Sequence, residues 1–327
     1  MTSSVDGVAE ALRFRAMAAK RIGAALLAIA LIIGAIVLRH QLDEQDPVAA
    51  TNGSTATPTD IAITVACVSD LSAICNAYAA KHPTVKIVVG PYASTVKAVI
   101  GGTNPAAWVT IDPLPLLTNL GTVTPLAESP MVAVTSNSLG SPYGSTCAAG
   151  AVTWKCIGDV ASSTIRIGHL DPRTSAVGLT AMGALTRGFL GSDADATKVV
   201  IDDRDDFQSW LSNVEASVQG YVSSSTSAVN AILTRPSSAR VAITTDADYT
   251  TQIGTRGSEF PLITPTPIVR ARAVVASAKG TVLPSTMSAE LTQLLIADGW
   301  ESVTTGPTGL PSSADVFLNL PFYGGLK

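Results

Sequence analysis

Seventeen consecutive apolar residues, IGAALLAIALIIGAIVL from Ile22 to Leu38, divide this chain into two unequal parts. The run carries no charge and no polar face, unlike a helix packed on one side of a globular core. Its length sits at the short end of the roughly 17–25 residues that span a bilayer. Arg13, Arg15, Lys20 and Arg21 precede it, whereas beyond Arg39 the next Lys or Arg is Lys81. The positive-inside bias therefore predicts a cytoplasmic N-terminus over residues 1–21, a transmembrane anchor over 22–38 and an extracytoplasmic remainder. A cleaved signal peptide shares the basic start and apolar core, but its apolar region is usually about 7–15 residues and ends in a small-x-small site. Here the run ends in Val37-Leu38-Arg39-His40, and Val48-Ala49-Ala50 is a distant candidate for cleavage. No cysteine precedes Cys67, so attachment through an N-terminal lipid is not expected.

Beyond the run, residues 39–60 are polar, Thr-, Ala- and Pro-rich and aperiodic, which reads as a flexible linker. The remainder is long enough for two lobes of ordinary size. A formal net charge of −4 with only 14% charged residues lacks the concentrated Lys and Arg that a nucleic-acid partner demands. All four cysteines, Cys67, Cys75, Cys147 and Cys156, lie on the outer side of the anchor, where an even count fits disulfides. Of three possible pairings, proximity favours Cys67–Cys75 with Cys147–Cys156. Cys67 also reads as a small buried residue of an apolar strand.

The outer part has a regular rhythm. Ile61–Val68 is a β-branched run closed by Ser69-Asp70, and Leu71, Ile74, Cys75 and Tyr78 then follow at helical spacing. Val85–Val89 and Ala107–Ile111 are further strands, with a turn at Tyr92–Ser94 and a helix opening at Val96 between them. Met131–Thr135, Ile165–His169 and Val241–Thr244 read as strands, and 176–189, 207–219, 228–233 and 288–298 as helices. Strand alternating with helix predicts an α/β fold with a largely parallel sheet. In such sheets ligands bind beyond the carboxyl ends of strands, where helix N-termini present free N–H groups.

The order of these segments resembles type 2 periplasmic solute-binding proteins, especially their molybdate-binding branch. AITVACVSDLSAICNAYAAKHPTVKIVVGPYASTVKAVI is similar to that family's opening, and AAWVTIDP to its third strand. RIGHLDPRTSAVGLTAMGAL is similar to its strand, Asp-Pro and helix segment, and RVAITTDADY to its strand returning to the hinge. A further likeness is to actinobacterial envelope proteins that fuse such a domain to a von Willebrand A domain, carried by WKCI and DPRTSAVGL. No DxSxS metal-site motif of that second domain occurs. The chain departs from the molybdate branch at Ala176 and Thr180, where Pro and Tyr are usual. The resemblance implies two lobes joined by a hinge, with lobe one over 61–135 and 241–305, lobe two over 136–240 and a tail over 306–327. It also implies non-catalytic binding of a small polar or anionic solute, presented to a membrane permease or an envelope protein, with no cofactor. An envelope interaction or assembly module on the same fold is the alternative.

Seven residues are expected to line the cleft: Ser69, Asp70, Ser94, Thr95, Thr174, Ser175 and Asp246. Hydroxyls at strand ends beside helix N-termini add donors to the free N–H groups and the helix dipole. The same residue types are also the preferred helix N-caps, so capping alone is an equally physical account of each. Catalytic signals are sparse, since GxSxG, HExxH and P-loop motifs are missing. His169 and Asp171 stand at alternating positions where one could orient the other. The run Asp202–Asp206 reads as a solvated helix start rather than a calcium loop, and Ser223–Ser227 as a flexible turn.

Overall fold

The computed structural model describes residues 63–100, 105–118, 120–136, 143, 147, 152–161, 165–191, 204–218, 228–234 and 240–311. All belong to the larger of two compact units, Thr59–Lys327. The apolar run, the linker, Asp202, Asp203, Ser223–Ser227 and residues 312–327 of the tail lie outside the described residues. Among the described residues no helix is long and apolar enough to cross a membrane.

The first half is built on a parallel core. β1 (Ile63–Val68) lies between β2 (Val85–Gly90) and β3 (Ala107–Ile111), parallel to both. The connecting helices are α1 (Ser72–Lys81) and α2 (Tyr92–Ile100). Leu71, Ile74, Cys75 and Tyr78 are buried, as their helical spacing requires. One difference appears at α2. The helix already starts at Tyr92, so Ser94 and Thr95 sit inside its first turn rather than in a turn before it.

β4 (Val123–Thr135) runs through both halves and its partners change midway. Its first part, to Pro130, is antiparallel to β8 (Arg270–Ser277), which also pairs with β3. From Met131 it pairs instead with β6 (Val241–Thr245), which in turn is parallel to β5 (Ile167–Gly168). β7 (Leu262–Ile263) pairs with β4 beside Ala133 and Val134. The prolines explain both why the first part of β4 is hard to read and where it bends. Neither Pro125 nor Pro130 can donate to a ladder. The register shifts between Pro125 and Ala127, and Pro130 stands where β4 leaves β8 for β6.

Within 241–305, Val241–Thr245 and Leu262–Ile263 pair with the second part of β4. Only from Arg270 does the chain rejoin the first, followed by α8 (Met287–Ala297) packed against β4 and α1. The segment 264–269 connects the strand paired with the second part of β4 to the one paired with its first part. The second half also carries α3 (Trp154–Asp159), α4 (Ala176–Leu190), α5 (Asp205–Ser217), α6 (Ala228–Thr234) and α7 (Asp246–Ile253). In α5 the acidic first turn of Asp205 and Asp206 is an exposed helix start, with Asp206 paired to Arg204 at 2.8 Å. Both disulfides favoured by proximity are present, Cys67–Cys75 and Cys147–Cys156. The first ties the end of β1 to α1 across the Ser69–Asp70 turn.

Candidate functional site

The parallel strands end on a common opening. β1 ends at Ser69 and Asp70, β5 runs into His169, Leu170 and Asp171, and β6 ends at Thr245, which caps α7 by accepting from the Asp248 N–H. A cavity of about 280 Å³ lies there. The first half contributes Ser69, Asp70, Ser72 and Ala73, together with Asp298 and Trp300 just beyond α8. The second contributes Leu170, Val177, Thr244 and Thr245, and a face of α7 formed by Asp248, Thr251 and Gln252. Placement at strand carboxyl ends follows the general rule for α/β sheets.

The expected site residues divide into three groups. Ser69 and Asp70 line the cavity. Ser175 stands directly behind Asp70, and Thr174 precedes it against Tyr92. Ser175 is fully buried, caps α4 by accepting from the Gly178 N–H at 2.9 Å, and donates its hydroxyl to the Asp70 carboxylate. The other Asp70 oxygen accepts from the Ala176 N–H at 2.9 Å. Burial pushes the Asp70 carboxyl above its ordinary range, and the hydrogen bonds from Ser175, Ala176 and Val177 only partly offset it. The Thr174 carbonyl accepts from the Tyr92 N–H at 3.3 Å, and the Tyr92 hydroxyl donates to the Pro172 carbonyl at 2.7 Å. The 172–176 segment is therefore held by the first half through four hydrogen bonds.

Ser94, Thr95 and Asp246 are not among the residues that line the cavity. Ser94 is exposed and donates to the Pro91 carbonyl at 2.8 Å. Thr95 is buried, donating to the Tyr92 carbonyl and accepting from the Trp108 indole N–H, both at 3.0 Å. Their hydroxyls serve the packing of α2. Asp246 opens α7, and burial with the nearby Glu301 raises its carboxyl pKa. The cavity residue of that turn is Asp248, whose carboxylate accepts from the Thr244 hydroxyl at 2.5 Å.

Asp171 acts on His169 through its charge, and Leu170 and Glu215 lie within hydrogen-bond distance of the ring. Its Nδ1 lies 2.8 Å from the Leu170 carbonyl and its Nε2 3.2 Å from a Glu215 carboxylate oxygen. Both partners are acceptors, so the ring satisfies them together only as a doubly protonated imidazolium. Burial disfavours that charge, yet Glu215 and Leu170 together hold the pKa above its ordinary value. Asp171 binds Arg173. Among the described residues no group of three His, Cys, Asp or Glu is arranged to hold a metal ion.

Close packing shapes the wall beside Asp70. A Cβ on Gly178, in the first turn of α4, would stand 2.4 Å from the Leu170 carbonyl oxygen. Only glycine lets the Leu170–Asp171 loop lie that close to the helix, and Leu170 is a cavity residue.

No family model matches the sequence, and no curated protein matches it either. Solved structures do resemble it. The periplasmic binding protein AfuA from Actinobacillus pleuropneumoniae, with fructose-6-phosphate bound, is 11% identical over 78% of this chain and 92% of its own, with a TM-score of 0.49. A periplasmic thiamin binding protein is 13% identical over 80% and 88%, with a TM-score of 0.49. The sulfate-binding protein SubI from Mycobacterium tuberculosis is 13% identical over 78% and 91%, at 0.42. The likeness is to periplasmic solute-binding proteins as a group and singles out no branch of them.

Proposed function

We propose that this chain is an extracytoplasmic, membrane-anchored, non-catalytic solute-binding protein of the two-lobed type 2 periplasmic-binding-protein kind. In this reading the N-terminus is cytoplasmic, residues 22–38 cross the membrane, and the outer domain grips a small polar solute for delivery to a membrane permease or envelope protein. The observation that carries it is the cavity itself, lined from both halves of a fold whose chain crosses between them along β4 and again through 264–269. Two crossings of this kind permit hinge closure, in which both walls meet the solute at once. Thr244, Thr245, Thr251 and Gln252 offer donors and acceptors on one wall, and Trp300 an apolar surface on the other. Such a few polar groups around an apolar surface are what a small-solute site requires.

A thermal-shift screen of sugars, amino acids, peptides and oxyanions against the full chain in detergent tests this. A solute at a hundred times its Kd adds about 2.7 kcal/mol of stability, roughly 5–10 °C for a domain of this size. Gln252→Ala is expected to shrink the shift. A screen in which no class of solute raises the melting temperature contradicts the proposal.

A further inference from the structure

We propose that Asp70 is the specificity-determining residue of this cavity, a built-in anion that fills the N-terminus of α4 and keeps free oxyanions out. The inference rests on the solute-binding reading and names the charge that the site accepts. The first turn of a helix such as α4 presents unpaired N–H groups and the positive end of the dipole, which together attract an anion. Here that place is taken. One Asp70 oxygen accepts from the Ser175 hydroxyl and the other from the Ala176 N–H at 2.9 Å. These are the same hydroxyl and N–H donors that a bound oxyanion would use. The residue that takes them stands more than a hundred positions earlier in the chain, on the turn after β1. That turn is itself fixed to α1 by the Cys67–Cys75 disulfide.

The surroundings act in the same direction. Asp248 and Asp298 add two more carboxylates to the cavity lining, and no Lys, Arg or His is among its described lining residues. Burial and the neighbouring Asp248 raise the Asp298 carboxyl pKa, as expected where like charges face one another. An oxyanion entering the cavity would meet three carboxylates, with no cation among the described lining residues, and would lose the donors of α4 to Asp70. The solute is therefore neutral or positively charged on the side that faces Asp70. The Asp70 link also spans the two halves, so it holds them together where a bridging anion otherwise would.

Titration calorimetry of the full chain in detergent with sulfate and with molybdate tests the assignment. The wild type is expected to show no saturable uptake of either ion. Asp70→Ala empties the helix N-terminus and is expected to bind at least one of them, and adding Ser175→Ala is expected to weaken that binding about tenfold or more. Asp70→Ser, which retains a polar side chain on the turn, takes its place if circular dichroism shows Asp70→Ala to be unfolded. Saturable binding by the wild type, or no gain in either folded variant, overturns the proposal. Neither result depends on the natural solute. Wild-type binding of sulfate would sink this inference while leaving the solute-binding reading intact, and a silent screen would do the reverse.

Discussion

Between Asp298 and Thr304 the chain passes from one electrostatic environment to its opposite. Thr304 packs on the crossing strand, where the fully buried Glu128 has both carboxylate oxygens engaged. Arg272 donates to one oxygen at 3.0 and 3.2 Å, and the Thr304 hydroxyl and N–H donate to the other at 2.6 and 3.1 Å. Burial alone would raise the Glu128 pKa, but these hydrogen bonds and the Arg272 charge bring it below the usual carboxylate range. A few residues earlier, Asp298 faces the cavity and another carboxylate, Asp248, and its pKa moves up. Asp112, at the carboxyl end of β3, behaves similarly. Burial raises it to about 6 despite the Arg272 charge. At the crossing the buried carboxylate is met by a guanidinium, a hydroxyl and an N–H, whereas at the cavity Asp298 faces another carboxylate. A groove that exists to receive a solute is expected to show that asymmetry.

Four changes would break or sharpen this contrast. Glu128→Ala removes the carboxylate to which Arg272 donates and is expected to cost about 3–5 kcal/mol in denaturant unfolding, the usual loss on breaking a buried pair. Because its folded pKa is lowered, the stability from Glu128 is complete above its ordinary value of 4.5 and lost as acid titrates the folded group. The variant should therefore unfold with a weaker dependence on acid than the wild type. Replacing Cys67 and Cys75 by serine is expected to cost about 2–4 kcal/mol, and to raise the Kd of any solute found by the screen, because the Ser69–Asp70 wall loses its anchor. Asp112→Asn works in the other direction. With a folded pKa near 6 against 3.8 unfolded, Asp112 makes the protein less stable as pH rises through that window. Its amide should stabilise by about 1–2 kcal/mol at pH 7 and change little at pH 4, as read from melting at the two pH values. Asp298→Asn, exposed at the cavity mouth, should alter stability by less than about 0.5 kcal/mol. A loss of several kcal/mol there would show that the cavity carboxylates are structural after all.

The parallel first half was legible because its signals are local. β-Branched runs mark β1, β2 and β3, and the buried face of α1 has the spacing 71, 74, 75, 78. β4 was legible only from Met131 onward, since Pro125, Glu128 and Pro130 interrupt the pattern of its first part. Those interruptions turn out to be the bulge, the buried carboxylate and the change of partner. At the site, Ser69 and Asp70 were found because a strand end followed by a helix is a local motif. Ser94 and Thr95 resemble them in composition, but their hydroxyls are spent on α2 and Trp108. Asp248, Thr251 and Gln252 follow helical spacing, and recognising α7 beyond Thr245 would have exposed that face. Trp300 had no local signal. It reaches the cavity because the next residue, Glu301, exchanges backbone hydrogen bonds with Glu128, a partner 173 positions away that no short pattern marks.

Hydrogen exchange of the full chain, with and without the solute that gives the largest thermal shift, tests the central claim most directly. If a solute binds between the two halves and closes them, amides of 69–73 and of 244–252 gain protection together, and those of 298–300 with them. Protection confined to one of these walls, or falling away from all three, would contradict the account.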